Sequence, residues 1–157
     1  MVRCKSNTRL SSLTLPVILT QTDTTVGFLS QNANKLYEIK SRDKTKPFIK
    51  VYKDFKTFLN SGNRVPNSKK NLVRRSKKTT FIVKNRAFRV AKIDLDSQVL
   101  RDIKWNYSTS ANKSKESFNR EFCEEKADII VEDKNFLHEC SSSSLIKINQ
   151  TSRRTLR

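Results

Sequence analysis

Three short polar segments contain residue types that bind anions or nucleotides. The first is Thr22–Gly27, which offers threonine hydroxyls, a carboxylate and a glycine just after an apolar run. At the end of a strand in an open α/β sheet, such groups can form a ligand site. The same residue types also form turns and helix caps, so this segment alone leaves both interpretations open.

The second segment carries two cations two residues apart, Lys40 and Arg42. If the chain is extended here, both side chains point the same way and converge on one spot. Such a pair suits a phosphate group, because Arg offers a planar fork and Lys a mobile point charge. On a continuing helix the two side chains would diverge. A Lys-x-Arg is also expected by chance in so basic a chain.

The third segment is Ser108–Asn112, which has the sequence S-T-S-A-N and follows the strand-like residues 105–107. Small hydroxyl and amide side chains offer hydrogen-bonding groups to phosphate oxygens with little steric hindrance. An ordinary polar turn is the alternative interpretation of this segment.

The positive charge of the chain is concentrated in one region. The 157 residues include 33 Lys and Arg against 15 Asp and Glu, which gives a formal net charge of +18. Twelve of the cations lie between Asp54 and Asp94, where there is no acidic residue. A basic segment of this kind favours a polyanionic partner such as RNA, because binding releases counterions. A solubilising surface is the alternative.

The composition excludes several classes of protein. No apolar run reaches the length of a transmembrane helix, and we interpret residues 13–20 as a strand rather than part of a signal peptide. The chain has only two glycines, so it contains neither a Walker A loop nor a glycine-rich dinucleotide-binding loop. The chain has no C-x-x-C motif and one histidine, His138, which we expect in a surface loop. We therefore expect no zinc site. The three cysteines, Cys4, Cys123 and Cys140, are odd in number and far apart. They therefore indicate free thiols and a reducing, cytoplasmic location.

An alternation of strands and short helices must position the three polar segments, and it predicts an α/β fold. Apolar alternation and turn signals predict strands at 13–20, 47–52, 79–83, 87–91, 105–109, 128–132 and 144–149. Helical spacing and capping residues predict helices at 30–40, 54–59, 69–75, 95–103 and 115–126. The length suits one domain over residues 1–157, with 1–12 expected as a flexible extension.

In order and context, the polar segments resemble the YrdC (TsaC) family of threonylcarbamoyl-AMP synthases. The family's P-T-D-T-V-Y-G-L appears at 21–28 as Q-T-D-T-T-V-G-F. Its K-G-R-P-x-x-K-P-L appears at 40–48 as K-S-R-D-K-T-K-P-F, and its T-S-A-N is intact at 109–112. Weaker similarities lie at 80–83, 88–90, 143–146 and 156–157, so the resemblance covers nearly the whole chain.

Some positions depart from the family pattern. Gln21 and Asp43 replace prolines, and Val26 replaces a tyrosine, which removes an aromatic wall or a hydroxyl contact. Residues 75–78 read R-S-K-K where the family has W-P-G-P. We expect these departures to affect substrate details and catalytic efficiency more than the fold, and we expect the short, single-domain form.

The resemblance implies a twisted, open, mixed sheet flanked by short helices, with a concave basic face. It implies a nucleotidyltransferase that forms threonylcarbamoyl-AMP and pyrophosphate from L-threonine, bicarbonate and ATP, for the threonylcarbamoyladenosine modification of tRNA. ATP is then a substrate, and Mg²⁺ would arrive with it, because the sequence has no evident carboxylate cage.

The resemblance also implies roles for individual residues. As catalytic residues, Lys40 and Arg42 would hold the triphosphate, and Ser110 and Asn112 would hold the α-phosphate or carbamate oxygens. The expected binding residues for threonine and the nucleotide are Thr22, Thr24, Gly27, Thr80, Arg89, Ser143 and Arg157. No metal ligand is expected.

Two other functions stay open at this point. One is a non-catalytic module that binds tRNA or double-stranded RNA through the basic segment. The other is a paralogue that acts on another carbamoyl-type substrate. The expected macromolecular partners are RNA and a tRNA-modification transferase complex, with no membrane contact.

Overall fold

The computed structural model describes residues 2–4, 15–91, 103–113, 116–132 and 136–157. Ten strands in these ranges form one mixed sheet. They are β1 (Val2–Cys4), β2 (Ile18–Gln21), β3 (Val26–Ser30), β4 (Ile49–Tyr52), β5 (Thr79–Val83), β6 (Arg86–Val90), β7 (Trp105–Ser110), β8 (Ile129–Val131), β9 (Ser144–Ile148) and β10 (Arg153–Thr155). Their order in the sheet is β1-β8-β2-β3-β7-β4-β6-β5-β9-β10. The pairs β2–β8, β4–β6 and β5–β9 are parallel, and the other pairs are antiparallel.

Four short α-helices accompany the sheet in the described residues: α1 (Ala33–Lys40), α2 (Phe55–Asn60), α3 (Lys70–Arg75) and α4 (Arg120–Lys126). A 3₁₀ helix, Asn67–Lys69, precedes α3. Side-chain caps fix where three of the α-helices begin, because each accepts a hydrogen bond from an otherwise unpaired backbone N–H. These caps are Asn32 for α1, Asp54 for α2 and Asn119 for α4. None of the described helices has the length and apolar character needed to cross a membrane.

The pairing register places two apolar clusters on one face of the sheet. Paired positions on neighbouring strands share a face, so the register aligns Phe81 with Phe88 across β5 and β6. Leu36 of α1 packs in one cluster on this face, together with Phe28. Phe58 of α2 packs in a second cluster and stacks on Phe88 with 4.3 Å between ring centroids. The helices therefore cover this face and bury its aromatic side chains.

The opposite face carries small and polar residues around β7 and β6, beside a third apolar cluster that includes Leu29 of β3. Gly27 on β3 pairs with Ser110 on β7, and Ser108 pairs with Ile49 on β4. The strand period of two places these side chains away from the helices. Arg89 alternates with Phe88 along β6 and points the same way as Gly27, so this polar face forms the floor of the cleft described below.

The structure confirms the predicted α/β fold and corrects several boundaries. The predicted helix 30–40 begins only at Ala33, because residues 26–30 form strand β3, which the sequence analysis missed. The helix predicted at 115–126 begins at Arg120, since Asn119 accepts a hydrogen bond from Phe122 N at 2.9 Å. Strands β1 and β10 were also not predicted. Nearly all of the predicted helix 95–103, and residues 5–14 of the N-terminal region, lie outside the described residues.

The two free thiols in the described residues, Cys123 and Cys140, have different environments. Their reactivity therefore tests the packing of α4. Cys123 is 0% exposed and lies with its Sγ 3.2 Å from the carbonyl oxygen of Ala111, and burial raises its pKa to about 11. Cys140 is exposed. In a Cys4→Ser background at pH 8, we expect a thiol reagent to label the native protein at Cys140 alone, and Cys123 only after denaturation. Mass spectrometry of the labelled peptides checks this, and rapid labelling of native Cys123 would contradict the packing.

Candidate nucleotide and amino-acid site

A cleft of about 320 Å³ lies on the polar face of the sheet, and a second cavity of about 390 Å³ adjoins it. The two share Arg42, Thr109 and Ser110 in their walls. Of the residues predicted from the sequence, the cleft is lined by Thr22, Thr24, Gly27, Arg42, Arg89, Ser110, Ser143 and Arg157. The adjoining cavity is lined by Lys40, Arg42, Ser110 and Asn112.

Thr80 is the one predicted residue that lines neither space. It is 0% exposed, and its hydroxyl hydrogen-bonds to both Arg89 and Ser143, which do line the cleft. The fold therefore gathers residues from six separate parts of the sequence around one pair of cavities.

Gly27 allows the strands beneath the cleft to approach each other closely. A Cβ at this position would lie 3.0 Å from the carbonyl oxygen of Thr109 and 3.1 Å from Cγ2 of Thr22. Both distances are shorter than ordinary van der Waals contact, so a larger residue would push β7 or the β2–β3 turn away. Val26, beside it, is buried in the helix-covered core. Val26 therefore does not line the cleft.

The turn between β2 and β3 holds its threonine hydroxyls in internal hydrogen bonds. Thr22 Oγ1 donates to the carbonyl oxygen of Thr25 at 2.7 Å. Thr22 Oγ1 also accepts from the backbone N–H groups of Thr24 and Thr25 at 3.2 and 3.3 Å, which occupies both of its lone pairs. The hydroxyl of Thr22 is therefore fully used within the turn. It shapes the cleft wall and offers no further hydrogen bond to a ligand.

Arg89 ties that turn to the middle of the sheet. Its side chain is 7% exposed, and its guanidinium forms an ion pair with Asp23 through a 2.7 Å bond from Nη1 to Oδ1. Nη1 also donates to Thr24 Oγ1 at 2.9 Å, while Nε and Nη2 donate to Thr80 Oγ1 at 3.4 and 3.3 Å. A buried charge is tolerated when it is paired and hydrogen-bonded in this way. The sequence places the carboxylate of Asp23 in the first polar segment, but Asp23 was not among the expected binding residues.

The direction of the hydrogen bond between Thr80 and Ser143 follows from the number of lone pairs on the Thr80 hydroxyl oxygen. Thr80 Oγ1 already accepts two bonds from Arg89, so in its 3.0 Å contact with Ser143 Oγ it must donate. The hydroxyl hydrogen of Ser143 then remains for another acceptor, and Ser143 lines the cleft. Arg157 fixes the backbone here, because its Nε donates to the carbonyl oxygen of Ser143 at 3.2 Å.

Lys40 and Arg42 come together at the C-terminal end of α1. Lys40 is the last helical residue, and Ser41 adopts a left-handed conformation with φ of 44°, which ends the helix and turns the chain. Both cations consequently line the adjoining cavity. This geometry is neither the extended segment nor the continuing helix weighed from the sequence.

Lys40 is engaged with the S-A-N turn. Its Nζ donates to the carbonyl oxygens of Ser110 and Asn112 and, at 2.6 Å, to Oδ1 of Asn112. Ser110 Oγ donates to the same Oδ1 at 2.7 Å, and Asn112 Nδ2 donates to the carbonyl oxygen of Glu116. Burial of the ammonium lowers the pKa of Lys40. All three ammonium hydrogens are used, so Lys40 fixes the turn and places a positive charge behind it.

Arg42 carries a charge that is open to a ligand from both cavities. Its guanidinium stacks over the ring of Phe48 at 5.1 Å and forms no ion pair with the residues the structure describes. Lys46 and Asp43 line the same cavity. A hydrogen bond from Thr45 N holds the pKa of Asp43 below its ordinary value, so this carboxylate is ionised at neutral pH. The cavity nevertheless keeps more cations than anions, which suits phosphate groups.

The sequence matches no protein-family model and no curated protein significantly. The fold does match solved structures. P. abyssi Sua5 complexed with L-threonine aligns with a TM-score of 0.70 at 15% identity, over 90% of this chain and 50% of that chain. MTH1692 from Methanobacterium thermoautotrophicum aligns with a TM-score of 0.63 at 17% identity, over 90% of this chain and 79% of that chain. Full-length HypF in its phosphate- and nucleotide-bound form aligns with a TM-score of 0.70 at 15% identity, over 26% of its length.

These likenesses confirm the predicted fold, a mixed sheet with short helices as in Sua5. The chain spans about half the length of the Sua5 structure that it matches.

The hydrogen bonds of Lys40 predict that its loss weakens the fold more than the loss of its neighbour Arg42. Lys40→Met leaves the acceptors of the S-A-N turn without their donor, and we expect a loss of about 1–3 kcal/mol in the free energy of unfolding. Arg42→Met removes the same charge from a half-buried side chain, and we expect a change within about 0.5 kcal/mol. Urea denaturation measures both, and equal losses in the two variants would contradict the clamping role of Lys40.

Proposed function

We propose that this chain is a member of the YrdC-like L-threonylcarbamoyladenylate synthases. It would join L-threonine, bicarbonate and ATP into threonylcarbamoyl-AMP and pyrophosphate, for the modification of tRNA. One observation carries the proposal: the T-D-T, K-x-R and T-S-A-N segments, far apart in sequence, line two joined cavities on one face of the sheet. The match to a Sua5 structure that contains L-threonine supports it.

The reaction requires no strong protein base. The amino group of threonine combines with bicarbonate and loses water to give a carbamate. A carbamate oxygen then attacks the α-phosphorus, and the bond from that phosphorus to the bridging oxygen breaks as pyrophosphate leaves. Phosphoryl and nucleotidyl transfer depend mainly on positioning and on neutralising charge. A cavity with several cations and no buried histidine is suited to that task.

In this proposal Arg42 makes the direct contact with the phosphates, because its guanidinium is open to the cavity. Lys40 adds its charge through the turn that it holds. Asn112 uses one amide hydrogen on Glu116, and the other has no acceptor among the described residues, so it is free for an α-phosphate or carbamate oxygen. Such fixed donors stabilise charge that develops in the transition state, because they need no reorganisation during the reaction.

Magnesium would enter with ATP. The described residues contain no group of three or more His, Cys, Asp or Glu side chains that could hold a metal ion. Mg²⁺ in such reactions is held largely by substrate phosphates and water, so in this proposal the nucleotide itself carries the metal.

The decisive activity test is threonine-dependent pyrophosphate release from ATP in the presence of bicarbonate. We expect Arg42→Ala to lower kcat/KM about 100-fold, as for the loss of one preorganised charge-stabilising donor. Lys44→Ala is the matched control, since Lys44 is an exposed cation of the same loop that lines neither cavity. Equal rates for the wild type and Arg42→Ala would contradict the site. Release that depends on a different amino acid would favour a paralogue with another carbamoyl-type substrate.

We also propose contact with RNA through the basic segment. Eight cations between residues 56 and 86 are exposed and form no ion pair with a described residue: Lys56, Arg64, Arg74, Arg75, Lys77, Lys78, Lys84 and Arg86. Arg89, the next cation along, is buried in the cleft network and does not belong to this surface. The eight exposed cations thus form the candidate surface for a polyanion, and Arg89 belongs to the site.

Binding of tRNA should fall steeply with salt. We expect the double variant Arg74→Glu/Lys77→Glu to weaken binding and to reduce the slope of log K against log salt, by about 0.9 for each duplex phosphate that the protein no longer neutralises. Arg153→Glu/Arg154→Glu makes the same charge change on strand β10 and serves as the control. Filter binding at several salt concentrations measures both. Equal slopes for the two double variants would contradict a localised RNA surface.

A further inference from the structure

Arg89 has a hydrogen-bond donor left over at the cleft. Of its five N–H groups, the described residues account for four, through Asp23, Thr24 and Thr80. The second N–H of Nη2 has no acceptor among them, and Arg89 is only 5% exposed. A donor buried without an acceptor costs free energy, so an oxygen atom of a ligand would be stabilised there.

Ser143 supplies a second donor to the same cleft. Its hydroxyl is linked to Arg89 through Thr80, and the count of lone pairs leaves the hydroxyl hydrogen of Ser143 free. Ser143 is 3% exposed, so this hydrogen also needs an acceptor from a ligand. Two donors joined through one hydroxyl suit the two oxygens of a carboxylate.

Asp23 reduces the net charge at this donor pair. Its carboxylate lies 2.7 Å from Nη1 of Arg89, and its side chain is 18% exposed. In such partly dry surroundings the field of the carboxylate opposes that of the guanidinium. A ligand at Arg89 and Ser143 therefore meets directed donors with little net positive charge. A singly charged carboxylate is accepted, whereas a doubly charged phosphate is repelled more strongly by Asp23.

We propose that Asp23 is a positioning residue: it fixes Arg89 and makes this end of the cleft prefer a carboxylate over a phosphate. The inference deepens the proposed function, on which it rests, because it assigns the amino-acid carboxylate to Arg89 and Ser143. The phosphates are left to the cavity beside Arg42, which has no compensating ion pair in the described residues. The carboxylate of the amino acid and the phosphates of the nucleotide thus bind beside different arginines.

Asp23→Asn tests the inference with little structural change, because the Asn amide oxygen can still accept the bond from Nη1. The readout is the NMR signal of Arg89 Nε–H in protein labelled with ¹⁵N-arginine, titrated separately with L-threonine and inorganic phosphate. In the wild type, L-threonine should shift the signal at concentrations where phosphate does not. In Asp23→Asn, we expect the ratio of phosphate affinity to threonine affinity to rise about tenfold or more.

Three further variants make the result decisive. Asp23→Glu keeps the charge and should keep the wild-type preference. Asp43→Asn removes the same charge from the adjoining cavity, where Asp43 forms no ion pair with a described residue, and should leave the Arg89 response unchanged. Asp23→Ser is a second neutral variant if Asp23→Asn fails to fold. A ratio that changes less than about threefold in the neutral variants, or equally in Asp43→Asn, overturns the inference.

Pyrophosphate release by the same proteins separates this inference from the proposed function. A wild type without release that still prefers the carboxylate at Arg89, and loses that preference in Asp23→Asn, contradicts the proposed reaction and supports the role of Asp23. An active wild type whose preference does not depend on Asp23 supports the reaction and overturns the role of Asp23.

Discussion

The burial of one guanidinium organises the site. Arg89 is on a central strand and is almost completely withdrawn from water, so its charge must be paired and its N–H groups must find acceptors. Its partners come from the β2–β3 turn and from strand β5, and through Thr80 it also reaches the residue before β9. Segments more than 60 residues apart in sequence are thereby fixed around one cleft.

The sheet makes this arrangement possible because one face packs against the helices and the other face lines the cleft. The register aligns aromatic residues beneath the helices, where they stack and stabilise the fold by burial. The alternate positions of the same strands carry Gly27, Ser110 and Arg89 on the open face. Bulky side chains there would fill the cleft. The small residues on this face therefore contribute space for a ligand, and the core contributes the rigidity that keeps the donors in place.

The sequence predicted the fold best where local signals and packing agreed. Residues 79–83 and 105–109 have the period of a half-buried strand, and both form strands. Strand β3 was missed because V-G-F-L-S has no alternation, since all five residues are buried. The resemblance of the three polar segments to one family led to residues that do share one pair of cavities, a proximity that no local pattern contains.

What the sequence could not predict was which polar groups bond to each other. Lys40 was expected to hold phosphates directly, yet its hydrogens are used by the S-A-N turn. The carboxylate of Asp23 was noted in the first polar segment but was given no role, although it is the charge partner of Arg89. Both interactions join residues at least 66 positions apart and depend on the register of paired strands, which spacing in the sequence does not reveal.

The central claim is that the two joined cavities bind a nucleotide and an amino acid side by side. A crystal structure of the protein with a non-hydrolysable ATP analogue and L-threonine tests it most directly. The account predicts the triphosphate beside Arg42 and the threonine carboxylate beside Arg89 and Ser143, with the two ligands in contact near Ser110. Crystals grown at saturating concentrations of both ligands in which the cavities stay empty, or in which the ligands lie elsewhere on the protein, would contradict it.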